Sequence, residues 1–236
     1  MGDNRKTSIC IPSYNRAVMT IESFYDVYED ERISEIIIVD DASDLEIYED
    51  LKSMTDAFPK VKLYRNLTNQ DCYRNKMTAL SYATNEWCIL LDSDNVIDKS
   101  YLDVLYKFPE WELDRIFTPD FAKPLFDFRE FSGVLVDSEN VSILIDRPIF
   151  ETMLNDSNFF INKNEYLKIW DGSIDPVTSD SIYFTYKWLE SGRYISVVPG
   201  LQYEHKVHEG SHYKNNVHRT APGFHESILQ KLRKLK

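Results

Sequence analysis

The sequence predicts an α/β protein: a mixed, mostly parallel central sheet flanked by helices, in a single domain. Three observations predict it. Strand-like and helix-like segments alternate β-α-β-α-β-α-β from the N-terminus to residue 92, the order that winds a parallel sheet. Runs such as "SICIP" and "EIIIVD" are apolar on both faces, as strands covered by helices on each side must be. Polar clusters stand where these runs end, and open α/β sheets bind ligands at the carboxyl ends of their strands.

Taken in order, "SICIPSY" (8–14) reads as a buried strand that stops at Pro12. Residues 17–30 carry apolar side chains at helical spacing, with Val18, Ile21, Phe24 and Tyr25 able to share a face. "ISEIIIVDDAS" is a short β-branched strand ending in Asp40 and Asp41, followed by a helix, "LEIYEDLKSMTDAF". "KVKLYRN" is the third strand, "DCYRNKMTALSYAT" the third helix, and "EWCILLD" the fourth strand. Beyond Asp94 the pattern is less regular. "SYLDVLYKF", "NKNEYLKIW" and "SDSIYFTYKWLESG" read as helices; "RIFTPDF", "FSGVLV", "NVSILI", "RYISVVPG" and "LQYEHKV" read as strands. The tail, "GFHESILQKLRKLK", reads as a basic amphipathic helix. The phenylalanine-rich stretch 120–131 is a candidate interface or acceptor surface. The four tryptophans read as core rather than as sugar platforms.

Composition narrows the function. The 236 residues carry a net charge of −12, so a basic nucleic-acid face is not expected. An anionic substrate would need local positive charge or a metal ion. The three cysteines form no CxxC pair and suit small buried hydrophobes in a reducing compartment. The segment "MGDNRKTSIC" offers no apolar leader, and no run approaches the roughly 20 apolar residues of a membrane span. A cytoplasmic location is expected.

Three polar clusters fall at strand ends: Ser13-Tyr14-Asn15-Arg16, Asp40-Asp41 and Asp92-Ser93-Asp94. Neither GxGxxG nor GxxxxGK[ST] is present, so the glycine loops that cradle phosphates elsewhere are missing. Two close carboxylates at a strand end can hold a hard divalent cation, which in turn binds phosphate oxygens.

These segments resemble glycosyltransferase family 2, the inverting enzymes with the GT-A fold. "ICIPSYNR" resembles that family's first strand and loop, "IIIVDDASD" its second strand, and "WCILLDSDNVI" its DxD motif. "YRNLTNQDCYRNKMTAL" resembles the segment with an Arg-Asn pair, and "HKVHEGSHY" a late His-x-Gly-Ser element. The acceptor-side segment is matched by residues 169–200, and the ordered set covers roughly residues 7–213.

The resemblance implies a nucleotide-sugar half over about 1–98, an acceptor half over about 99–222, and a C-terminal helix over about 223–236. It implies a nucleotide-sugar donor, a UDP-sugar first, with a glycan, lipid-linked or protein hydroxyl as acceptor, and a role in polysaccharide biosynthesis. Pro12, Tyr14 and Arg16 would shape the nucleoside pocket; Asp41, with Asp40 beside it, would read the base. Arg74 and Asn75 would contact the diphosphate or sugar; Asp92 and Ser93 would face the ribose side. Asp94, with His208, would hold Mn²⁺ or Mg²⁺, and Asp180 would be the general base. His205, Lys214 and Arg219 would belong to a closing lid, and the basic tail would offer peripheral membrane contact.

Three departures stand out. Gln70 replaces a common glycine, Ser179-Asp180 a common Glu-Asp, and Asp94-Asn95 an Asp-Asp. Two other readings stay open: a sugar-phosphate nucleotidyltransferase-like enzyme, and a nucleotide-sugar-binding protein without turnover.

Overall fold

The computed structural model describes residues 4–156, 158–206 and 216–236. Four parallel strands form its first half: β1 (Thr7–Ser13), β2 (Ile33–Asp40), β3 (Val61–Arg65) and β4 (Trp87–Leu90). They are joined by helices α1 (Ala17–Tyr25), α2 (Leu45–Thr55) and α3 (Asp71–Tyr82). The spatial order β3-β2-β1-β4 reverses direction between β1 and β4. That reversal opens a crevice beyond the strand ends, the place where doubly wound sheets take ligands. Every residue of β1 is buried, as a strand covered on both faces requires.

The second half extends the same sheet. After α4 (Lys99–Leu105) come β5 (Arg115–Lys123), β6 (Phe126–Asp127) and β7 (Leu135–Val136). Helices α5 (Val141–Leu144) and α6 (Pro148–Leu154) lead to β8 (Phe160–Asn162), then α7 (Lys163–Ile169) and α8 (Asp180–Glu190). Strand β9 (Tyr194–Glu204) and helix α9 (Phe224–Leu232) follow. The sheet order continues β4-β8-β5-β9-β7, with β6 beside β5. Strand β8 runs antiparallel to both neighbours, so β5 and β9 regain the direction of β1. The sheet is mixed, with most strands pointing one way. Trp87, Trp111, Phe117 and Phe160 pack together where the two halves meet.

Local chemistry explains where the sequence reading and the structure part. Residues 140–145 carry a β-branched alternation, yet they hold α5. Asp137 Oδ1 accepts from Glu139 N at 2.9 Å and Asn140 N at 2.8 Å, a turn that launches a helix rather than a strand. The Pro199-Gly200 pair signals a break, but β9 runs through it as one strand. Pairing with β5 shifts register between Pro119 and Phe121, and Asp120 Oδ2 accepts the Gly200 N–H at 3.0 Å. A bulge absorbs what would otherwise be a turn. Helix α1 stops at Tyr25, short of residue 30, and only Leu135–Val136 of the stretch 131–136 is strand. Helix α6 and strand β8 carried no clear periodic signal.

Helix α9 turns its apolar face inward: Ile228, Leu229 and Leu232 are buried. Arg233 pairs with Asp146 at 2.9 Å and Glu226 at 3.3 Å. That apolar face is therefore not available to a lipid surface. Phe128 and Phe131 are also core rather than exposed surface, as are Trp111 and Trp188. No helix among the described residues is long and apolar enough to cross a membrane.

Candidate active site

A cleft of about 1460 Å³ opens at the carboxyl ends of β1, β2 and β4. Its donor wall is built by register. Ser13 pairs with Asp40, and Asp40 with Arg65, across adjacent strands. The loops that leave these ends are tied together: Asn15 N donates to Ser43 Oγ at 2.8 Å, and Asp44 N to Asn15 Oδ1 at 2.8 Å. Among the described residues, four non-glycine residues hold positive φ, namely Asn15 (52°), Ala42 (60°), Asp71 (62°) and Val177 (50°). All stand in or next to turns that border the cleft, and Val177 is the most strained because a β-branched residue resists that region. Strain of this kind persists where the surroundings over-determine the backbone, commonly at functional sites.

Asp41 lines the cleft and is 3% exposed. Its Oδ1 accepts from Asn66 Nδ2 at 2.7 Å and from Gln70 N at 2.8 Å. Burial nevertheless raises this carboxyl above its ordinary pKa. Asp40 is buried behind it and does not line the cleft. It accepts from Ser43 N at 3.1 Å and faces Arg65 at 3.5 Å, so it shapes the loop that presents Asp41. Arg16 Nη1 reaches Asp94 Oδ2 at 2.7 Å. Asn95 Oδ1 accepts the Lys206 N–H at 3.3 Å, which ties the end of β9 to the loop after β4.

On the acceptor side, Asp180 opens α8 and is 7% exposed. Lys76 Nζ lies 2.6 Å from Asp180 Oδ2 and 3.6 Å from Asp92 Oδ1. Asp92 N donates to Asn158 Oδ1 at 2.9 Å. Asn158 and Tyr203 in turn donate to Asp156, whose carboxyl is raised by burial. A third wall comes from the C-terminal segment. His225 bridges Glu151 at 2.8 Å and Ser179 at 2.9 Å, and Arg219 grips Asp71 through two nitrogens at 3.0 and 2.7 Å.

The family model described as "Glycosyl transferase family 2" matches residues 8–159, from β1 to just before β8. The chain belongs to glycosyl transferase family 2.

Solved structures share the fold of this family 2 chain. TarS of S. aureus, residues 1–349 in complex with UDP, superimposes with a TM-score of 0.66 at 18% identity, over 96% of this chain and 70% of that one. The mannosyltransferase PcManGT of Pyrobaculum calidifontis, in complex with GDP-Man and Mn²⁺, gives 0.64 at 17% identity, over 97% and 69%. Among curated proteins, polypeptide N-acetylgalactosaminyltransferase 11 of Xenopus tropicalis is 34% identical over 108 residues. That match takes in 42% of this chain and 18% of that protein.

The cleft gathers most of the residues expected of a family 2 site. Pro12, Tyr14, Arg16, Asp41, Asn75, Asp92, Ser93, Asp94 and Asp180 all line it. Asn75 donates to Val39 O at 2.9 Å and accepts from Asn66 at 3.0 Å. Arg74 does not line the cleft. The reason is helical: Cys72, Asn75 and Lys76 share a face three and four residues apart, and Arg74 points elsewhere. Lys76 is the cation that α3 delivers, and that spacing was its one signal in the sequence. Asp156, Tyr203 and His225 carried no local signal. His208 and Lys214 lie outside the described residues.

Among the described residues, no group of three or more His, Cys, Asp or Glu could hold a metal. His205 also lines the cleft, its Nδ1 buried without a hydrogen-bond partner, and the carboxylate donors there are Asp92 and Asp94. Such a set fits a hard cation that brings further oxygens with it, as Mg²⁺ or Mn²⁺ does on a diphosphate.

Proposed function

We propose that this protein is a glycosyltransferase that moves a sugar from a nucleoside diphosphate sugar, a UDP-sugar first, to a hydroxyl of an acceptor, with inversion. One observation carries the reading: Asp41, the Asp92–Asp94 pair and Asp180, which come from three separate parts of the chain, meet in one cleft.

Asp41 receives the base through an N–H, since its buried carboxylate is an acceptor set in a low-dielectric wall. Asp94, with Asp92, would hold Mn²⁺ or Mg²⁺; a bound divalent cation would offset charge on the diphosphate. Arg16, from the loop after β1, supplies a second positive group beside Asp94. The acceptor oxygen forms a bond to the anomeric carbon as the bond to the diphosphate oxygen breaks. The electron pair leaves with the diphosphate, and the acceptor proton passes to Asp180. Asp180 and Asp92 share Lys76 as a neighbour, which supports bringing the donor and acceptor sides of the cleft together there. The relatives add support: the solved neighbours are complexes with UDP, UDP-GlcNAc and GDP-Man.

The test is a thermal-shift panel of nucleoside diphosphates and nucleotide-sugars, with and without Mn²⁺. The best donor is then carried into a transfer assay, with product stereochemistry read by NMR. A ligand bound to the folded state raises the midpoint with occupancy. A metal-dependent shift for uridine nucleotides, lost in Asp94→Ala, is expected. A folded protein that responds to no nucleotide would remove the donor site, and a retained anomeric configuration would remove the single-displacement step.

A further inference from the structure

Lys76 has no task in the transfer step described above, yet its placement is specific. It is 6% exposed. Its ammonium stands between the two sides of the cleft: 2.6 Å from Asp180 Oδ2 and 3.3 Å from Ser181 Oγ on α8, and 3.6 Å from Asp92 Oδ1 beyond β4. An ammonium has three donors and no acceptor, and here its near neighbours are two carboxylates and a hydroxyl. Burial alone would discharge such a group, but Asp180, and then Asp92, more than offset that and hold it charged. A single cation of this kind limits how far apart its two carboxylates can stand.

The backbone beside Asp180 is tethered as well. Thr178 Oγ1 meets Thr220 Oγ1 at 2.7 Å, and Ser179 Oγ meets His225 Nδ1 at 2.9 Å. Val177, which opens this turn, is held at φ 50°. These contacts fix the main chain before α8 but leave the Asp180 side chain its rotamer choices. Lys76, at 2.6 Å, is the short contact that removes them, with Ser181 Oγ donating to the same oxygen only at 3.5 Å. A lysine aimed at a diphosphate would instead present its ammonium to the cleft with its donors unspent.

We propose that Lys76 is a positioning residue of the transfer step: it pins the Asp180 carboxylate at a fixed separation from Asp92, so that the base faces the donor's anomeric carbon. This rests on the reading of Asp180 as the base. The expected signature is a loss in kcat with little change in KM. A carboxylate misplaced by about 1 Å costs on the order of 10²-fold in rate without altering donor binding.

The experiment follows UDP release from UDP-GlcNAc, with and without acceptor, in wild type, K76R, K76M, D180N and the double variant K76M/D180N. Hydrogen exchange of the amides in residues 177–183 is measured alongside. K76M is expected to lose roughly 10²-fold in kcat at near-constant KM, and K76R to recover much of it. D180N and K76M/D180N are expected to match, because a residue that acts only through Asp180 adds nothing once Asp180 is gone. The double variant also removes both buried charges together, so it folds even where K76M alone does not.

A raised KM at unchanged kcat in K76M overturns the proposal and makes Lys76 a diphosphate ligand. A further loss on adding K76M to D180N overturns it too. Full kcat in D180N removes the base reading itself, whereas a crippled D180N beside an active K76M leaves the base standing and removes only the positioning role. Where UDP-GlcNAc is not turned over, exchange decides. K76M must quicken exchange at the start of α8 while K76R does not, and unchanged protection in K76M sinks the pinning.

Discussion

Arg16 and Asp94 form an ion pair of 2.7 Å, with each side chain only 14% exposed. The carboxylate proposed to meet a divalent cation is thus already opposed by a guanidinium. A cation that approaches Asp94 must compete with Arg16, and an incoming diphosphate offers Arg16 a replacement partner. Metal and nucleotide are therefore expected to help each other bind. Mn²⁺ binding, followed by the loss of its free paramagnetic signal, is expected to tighten about fivefold or more in Arg16→Gln without nucleotide. The aid that UDP gives to Mn²⁺ is expected to shrink in the same variant. Equal Mn²⁺ affinity in both proteins would rule out the competition.

Asp41 is the residue proposed to carry base recognition. Asp41→Asn keeps an acceptor oxygen for Gln70 N but loses the charge. UDP affinity, measured by calorimetry, is expected to fall by roughly 10- to 100-fold, the cost of losing a charge-assisted hydrogen bond. Burial raises the Asp41 carboxyl above its ordinary range, so the charged form is lost earlier on acidification than for an exposed aspartate. UDP affinity of the wild type is expected to weaken as pH falls towards that raised value, and the variant to show no such dependence. Unchanged affinity in Asp41→Asn would move base recognition elsewhere in the cleft.

Glu35, at the start of β2, anchors the opposite end of the sheet. Its buried carboxylate accepts from Ser8 Oγ at 2.6 Å, Thr84 Oγ1 at 2.8 Å and Lys62 Nζ at 2.6 Å. Burial alone would raise its pKa, but Lys62, Ser8 and Thr84 overcome that and hold it at about 2, against 4.5 for an ordinary glutamate. A carboxyl depressed on folding stabilises the protein above its unfolded pKa. That stability is lost as pH falls from 4.5 to about 2. Glu35→Gln is expected to cost about 3 kcal/mol at pH 7 and to flatten stability across that acid window. Urea unfolding of both proteins at pH 7 and pH 3 measures it; a constant difference between them at the two pH values would count against the carboxylate.

Gly200 sits in the β9 bulge at φ 77°, with room for a Cβ, since the nearest atom is 3.9 Å away. Gly200→Ala is therefore expected to cost about 1–2 kcal/mol through backbone strain alone. Asp120→Ala leaves the Gly200 N–H and the Ser132 hydroxyl without their shared acceptor, and is expected to cost about 2–3 kcal/mol. Thermal unfolding of the two variants separates the effects. A cost for Gly200→Ala well above that of Asp120→Ala would mean that space, not φ, limits the position.

Much of this architecture was written locally. The strands "SICIP" and "EIIIVD" could be read from composition because a doubly covered strand is apolar throughout, and that property belongs to the segment itself. The aspartates at their ends could be read for the same reason. The loop at Asp137 and the bulge at Gly200 could not, since short side-chain bonds in one and pairing with β5 in the other overrode propensity.

The sequence by itself determined the alternating half, the strand-end carboxylates and the family, because these depend on order and spacing along the chain. Only the tertiary structure decided which cation meets which carboxylate. Arg74 and Lys76 are two residues apart, and helix α3 points only Lys76 at Asp180, 104 positions away. The C-terminal helix was legible as basic and amphipathic, but packing decided that its apolar face lies buried against the protein. Contacts between distant segments follow from how the elements pack, and no local pattern encodes them.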